Sequence, residues 1–95
     1  MKIAVGSIEI TLNDSNAREL ANFLLSRREF FRFYDDWGWD YYVIRTRRGG
    51  VIFIIPTKTE TKVERLDERS ALMVATLIKV KLREATKDEL AKVLS

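Results

Sequence analysis

Cysteine, histidine and glutamine are absent, proline occurs once, and no apolar run approaches the roughly 18 residues that would mark a membrane span. Each absence narrows the chemistry. Without cysteine there is neither a disulfide framework nor a thiolate metal site. Without histidine the commonest general base and the commonest metal ligand are both missing. Together these gaps exclude Ser-His and Cys-His nucleophile systems. No Gly-rich phosphate loop is present, because Gly49-Gly50 leads into strand-like sequence and not into a helix. No cofactor is therefore expected. Met1-Lys2-Ile3 enters strand-like sequence directly, with Glu9 close behind, which is unlike a signal peptide; an intracellular (cytoplasmic) protein is expected.

What remains is carboxylate, lysine, arginine and tyrosine chemistry on a chain of 95 residues, the length of one domain spanning 1–95. The apolar fraction, 46%, suits a folded globule and not a disordered chain. Charged residues make up 33%, and the only side-chain amides are Asn13, Asn16 and Asn22. Many ions with few thermolabile side chains is the composition of a thermophile protein. The net charge of +3 is modest, but its distribution is uneven. Residues 27–48 hold six arginines (Arg27, Arg28, Arg32, Arg45, Arg47, Arg48) and no lysine, and eight of the ten aromatics lie between Phe30 and Tyr42.

The pattern predicts an α+β domain. Apolar residues alternate over 2–12, and the alternation slips by one at Gly6-Ser7, which a type II′ hairpin turn or a bulge would absorb; the hairpin is favoured. After cap candidates 13–15, Ala17, Leu20, Ala21 and Leu24 form a helical stripe, and the helix is expected to reach residue 34. A central hairpin follows, with Gly49-Gly50 as a two-residue turn that sets Arg48 opposite Val51, Thr46 opposite Phe53 and Ile44 opposite Ile55. Tyr42, Ile44, Val51, Phe53 and Ile55 then share the core face, and Tyr41, Val43, Ile52 and Ile54 lie on the other face beside Arg45 and Arg47. Thr61-x-x-Glu64 reads as a capping box opening a long helix to residue 84, with 78–84 as strand the alternative; Thr86-x-x-Glu89 opens a short last helix. The expected core is Ile8, Ile10, Leu20, Leu24, Ile44, Phe53, Ile55, Leu66, Met73 and Leu77.

Function is read from the arginines. Guanidinium forks match phosphate, and aromatic faces stack on bases. The reading that follows is a non-catalytic nucleic-acid-binding protein whose candidate contacts are Arg27, Arg28, Arg32, Tyr41, Arg45, Arg47 and Arg48. Apolar surface in excess of what one small layer pair covers predicts a homo-oligomer, most simply a dimer. A protein-interaction module or inhibitor of a cellular or host partner, with no nucleic-acid role, is the alternative, since phenylalanines commonly serve as core and arginine stems as sheet cover. A third reading rests on Asp40 and on Glu60-Thr61-Lys62, which resembles the loose Asp…Glu-x-Lys pattern of the restriction-endonuclease-like nucleases. The resemblance implies carboxylates holding Mg²⁺ and a lysine positioning water, with Glu19 or Glu29 as an upstream acid. Strict alternation, however, sets Asp40 and Glu60 on opposite faces of the sheet.

Overall fold

A computed structural model describes residues 1–94. The chain opens with a two-stranded hairpin, β1 (Lys2–Val5) and β2 (Ile8–Thr11), followed by α1 (Asp14–Leu25). A four-stranded antiparallel sheet comes next: β3 (Phe30–Tyr34), β4 (Asp40–Arg45), β5 (Val51–Pro56) and β6 (Thr61–Leu66), paired in sequence order. Helices α2 (Glu68–Lys81) and α3 (Lys87–Leu94) complete an α+β fold. No helix among the described residues is long and apolar enough to cross a membrane.

Local chemistry explains most of these boundaries. Gly6 has φ +59° between β1 and β2, while Ser7 keeps a negative φ, so the slip in alternation is a hairpin turn of the II′ kind. Asn13 caps α1 by accepting the Asn16 N–H at 2.8 Å. At the other end the Ser26 hydroxyl and N–H both donate to the Phe23 carbonyl, at 2.7 and 3.0 Å, closing the helix before Arg27. The expected extension of α1 to residue 34 is therefore corrected. Residues 30–34 follow a period of two, with Phe31 and Phe33 turned inward and Phe30, Arg32 and Tyr34 exposed, and they form β3.

The start of the long helix is also corrected. Residues 61–66 are strand, because β5 has a second edge whose backbone groups need partners, and β6 supplies them from Val51↔Leu66 to Pro56↔Thr61. The N-cap of α2 is Asp67, accepting the Ser70 N–H at 2.7 Å. Within α2 it is Ala71, Val74, Ala75 and Ile78 that are buried, whereas Met73 and Leu77, expected in the core, are exposed. The helix stops at Lys81 with no glycine; Arg83 itself takes the left-handed φ of +60° that a C-terminal cap uses. Within 78–84, residues 78–81 are thus helix and not strand, and the helix ends three residues before the expected 84. The Thr86–Glu89 capping box forms as expected, at 3.0 and 3.2 Å.

The central hairpin keeps its strands but not its register. Ile44 stands opposite Ile52, three residues from the expected Ile55, because the connection is the five-residue loop 46–50 and not a two-residue turn. The Thr46 N–H donates to the Gly50 carbonyl at 2.8 Å, and Gly49 has φ +87°. Gly50 serves a close approach: a Cβ there would collide with the Leu66 carbonyl oxygen. An odd shift inverts the face of one strand. Val51, Phe53 and Ile55 point into the core as expected, but on β4 the inward residues are Tyr41 and Val43, and Ile44 is exposed. Of the remaining expected core residues, Ile10, Leu20 and Leu24 are buried, while Ile8 and Leu66 pack partly buried at its margin.

One core gathers Ile3, Val5 and Ile10 of the hairpin, Leu20 and Phe23 of α1, the inner sheet face and the buried side of α2. Thr76 sits in it at 4% exposure with an Oγ1 that has no hydrogen-bond partner among the described residues. An unsatisfied buried hydroxyl costs about 1–3 kcal/mol. Thr76→Val keeps the shape and removes that cost, so a thermal melt should show Tm rising by several degrees; a fall in Tm would show that the hydroxyl is satisfied.

Candidate nucleic-acid interface

The 46–50 loop lies at one end of the sheet, beside residues 27–29 before β3 and residues 66–69, where β6 passes into α2, since Arg45 pairs with Val51, Val51 with Leu66, and the Arg45 N–H donates to the Glu29 carbonyl at 2.9 Å. Three shallow depressions meet around this loop. A groove of 350 Å³ is lined by Arg27, Glu29, Arg45 and Arg47. One of 660 Å³ is lined by Arg48, Arg65 and Arg69 with Asp67 and Glu68. The third, 490 Å³, joins the first two, sharing Arg27 and Arg45 with one and Glu68 with the other.

The seven candidate residues do not play one role. Arg27, Arg47 and Arg48 are exposed at this end, and none of them, nor Arg65, forms an ion pair among the described residues. Arg28 is exposed nearby, its guanidinium 5.5 and 5.4 Å from the Phe23 and Phe31 ring centres. Arg45 turns inward. Its Nε donates to the Arg28 carbonyl at 2.9 Å, Nη1 to Gly49 at 3.3 Å and Nη2 to Phe23 at 2.7 Å, with the guanidinium 5.0 Å from the Phe23 ring centre. Burial lowers its pKa from the usual arginine value, although nearby Glu68 opposes the shift. Arg45 is thus a strut holding the end of α1, the start of β3 and the loop together, and it leaves the set of expected phosphate contacts.

Arg32 and Tyr41 leave the set as well. Arg32 grips Asp40 with both arms, Nε to Oδ1 at 3.0 Å and Nη2 to Oδ2 at 2.9 Å, and lies over the Tyr34 and Tyr42 rings. That grip holds the Asp40 carboxyl below the usual aspartate range, despite some burial that works the other way. Tyr41 is 5% exposed and donates its hydroxyl to Asp35 at 2.8 Å, so its ring is no stacking platform. Burial, then the neighbouring Asp35 carboxylate, pushes its phenol well above the usual value. Asp35 also accepts the Trp37 and Trp39 N–H groups at 2.9 Å each, closing the β3–β4 turn.

Charge is consequently separated along the sheet. Asp35, Asp36 and Asp40 sit at the β3–β4 turn, at the far end of a strand about 17 Å long by its rise per residue. They do not dilute the arginine end; Glu29, Asp67 and Glu68 are the acids there, and Asp67 is engaged as the α2 cap. Most of the exposed aromatics, close to the arginines in sequence, lie away from them: Tyr34, Trp37 (78% exposed) and Trp39 are at the acidic end, and Phe30 is beside the loop. Arg65 is a basic residue at this end that the expected contacts omit, because 61–66 reads as helix; the alternation in Thr61–Leu66, with Arg65 paired opposite Ile52, is its signal.

The nuclease-like set is not brought together. Asp40 is on the outer face, held by Arg32; Lys62 pairs opposite Ile55 on the inner face; Glu60 is in the β5–β6 turn; Glu29 is at the other end of the sheet and Glu19 on α1. No group of three acids able to hold a metal ion occurs among the described residues. Comparison with protein-family models, curated proteins and solved structures finds no match, so the functional reading rests on this chain's own side chains.

The strut role of Arg45 is testable. Arg45→Met keeps much of the apolar stem but removes every bond to the three carbonyls. Hydrogen bonds from a charged donor contribute about 1.5–3 kcal/mol, so the loss should be of that order, or about 6–24 °C in Tm for a domain of this size. Arg47→Met, at the exposed tip, should leave Tm within about 2 °C, as surface substitutions do. Equal effects from the two would contradict the assignment.

Proposed function

We propose that the protein binds nucleic acid without catalysis, by phosphate contacts at the arginine end of the sheet, through Arg27, Arg47 and Arg48 with Arg28 and Arg65 beside them. The observation that carries this reading is the gathering of Arg27, Arg47, Arg48 and Arg65 around one loop, none with an ion-pair partner among the described residues, with the aspartates of the same sequence window held at the opposite end. Arginine suits phosphate where geometry matters, because its planar fork bonds two oxygens at once. The Arg45 strut fixes the loop beforehand, so little ordering is required on binding. No group at this end is arranged for base readout, and weak sequence preference follows. The uncovered apolar face of the sheet supports the second reading, a protein-binding module, and one titration separates the two.

That titration follows fluorescence anisotropy of wild type and the Arg27→Ala/Arg47→Ala/Arg48→Ala variant against duplex and single-stranded DNA and RNA at several salt concentrations. Each phosphate contact contributes about 0.9 to the slope of log K against log salt on duplex DNA. The triple variant should therefore lose about two to three from the slope and bind all sequences more weakly. Absence of wild-type binding below about 100 μM at low salt, weaker than ordinary non-specific binding, would leave the protein-partner reading. Equal binding by the variant would show that this end is not the contact surface.

A further inference from the structure

The four-stranded sheet is covered on one face only. The register defines the other face as a grid of three rows across the four strands. Nearest the 46–50 loop runs Phe30, Ile44, Ile52, Arg65; the middle row is Arg32, Tyr42, Ile54, Val63; the last is Tyr34, Asp40, Pro56, Thr61. Phe30 is 54% exposed, Ile44 39% and Val63 49%, and no helix lies over them. The face carries three charges, and two of them, Arg32 and Asp40, neutralise each other. The largest apolar patch on a small monomer is often functional.

We propose that this face is the interface of a two-fold homodimer in which β4 of one copy stacks across β5 of the other. The pattern of the grid argues for a second copy as the occupant. Face-to-face stacking of two identical sheets requires a two-fold axis lying between them, either along the strands or across them. An axis along the strands sets Ile44 over the partner's Ile52, Tyr42 over the partner's Ile54, and Arg65 over the ring of the partner's Phe30. Every central position then meets an apolar one, and no like charges meet. An axis across the strands sets Arg32 over the partner's Arg32, juxtaposing like charges in the middle row, whereas the axis along the strands sets Arg32 over the partner's Val63 and leaves Asp40, still bonded to its own Arg32, over the partner's Pro56 in the outermost row. One of the two arrangements is self-complementary and the other is not.

The size of the face fixes the strength expected. Four strands about 4.8 Å apart and five to six residues long project roughly 350 Å² per copy, and a side-chain surface exceeds its projection. Even with that relief the total falls short of the standard of about 1,600 Å² and belongs with weak, transient interfaces, those below about 1,200 Å², so the dimer should dissociate in the micromolar range. The chosen axis also leaves both 46–50 loops at the same end of the dimer, doubling the arginine surface. The dimer does not rest on the nucleic-acid reading, since it is measured without any nucleic acid.

The test is sedimentation equilibrium of the full chain. At about 100 μM, well above a micromolar dissociation constant, wild type should have twice the 11.1 kDa chain mass and dissociate on dilution. Ile44→Lys and Ile52→Glu should each sediment as monomers, with circular dichroism confirming the fold; Val63→Lys, at a half-exposed position, repeats the test should either fail to fold. An equimolar mixture of Ile44→Lys and Ile52→Glu should dimerise again, because the introduced ammonium and carboxylate face each other across the interface. A monomeric wild type, or charged variants that still dimerise, would overturn the proposal. A mixture that stays monomeric would overturn the stacking of β4 on β5.

Discussion

The guanidinium of Arg45 is the contact on which the arrangement of the arginine end depends. Its three bonds reach the carbonyls of Phe23 in α1, Arg28 before β3 and Gly49 in the loop. These carbonyls belong to chain ends outside the regular ladders: the last turn of a helix, where the Phe23 carbonyl also accepts the Ser26 N–H and hydroxyl, the approach to an edge strand, and the tip of a hairpin. A cation is well suited to the helix C-terminus, where the carbonyls carry partial negative charge. Because Arg45 is the last residue of β4, its backbone is fixed by the sheet while its side chain fixes everything around it. The exposed arginines on either side, Arg27 and Arg47, are thereby held beside one groove.

The sheet has a comparable asymmetry. Its inner face is closed by α1, α2 and the N-terminal hairpin, and even the hairpin tip is tied down, with the Ser7 N–H and hydroxyl both donating to Glu64 of β6. The outer face has no such cover. A chain of 95 residues has enough amphipathic helix to seal one side of four strands. The side chains on the open face are those of an interior, with isoleucine, valine and aromatic rings in the middle and its one ion pair towards the edge. The arginine end and the open face are thus two surfaces with different chemistry, one electrostatic and one apolar, that share the strand β4.

How much of this was legible in the sequence depends on how local the signal is. The Gly6-Ser7 hairpin, the Thr86 capping box and the α+β class were readable because each rests on a few adjacent residues with a specific conformational preference. The failures have one cause, which is that a local signal was answered by a distant partner. Thr61-x-x-Glu64 is a valid capping box, but the open edge of β5 takes those residues as a strand, and Glu64 turns to Ser7. Phe30–Tyr34 alternates correctly for a strand, but it follows a helical stripe closely enough to be read as its continuation. The glycine pair at 49–50 suggested a two-residue turn, whereas Gly50 is there for the approach of Leu66. That single misreading inverted the faces of β4 and put Tyr41 and Arg45 outside. The arginine cluster was visible as composition; its division into strut, ion-paired clamp and exposed cations was not, because it depends on which carbonyls and carboxylates the fold brings near.

That division is the central claim, and side-chain NMR of the arginine Nε–H groups tests it most directly. In the protein alone, Arg45 and Arg32, whose Nε atoms donate to the Arg28 carbonyl and to Asp40, should show slow Nε–H exchange with water. Arg27, Arg47 and Arg48 should exchange rapidly. On addition of a short DNA duplex at low salt, the signals of Arg27, Arg47 and Arg48 should shift, and those of Arg45 and Arg32 should remain in place. Rapid exchange at Arg45, or shifts that appear first at Arg45 and Arg32, would contradict the account.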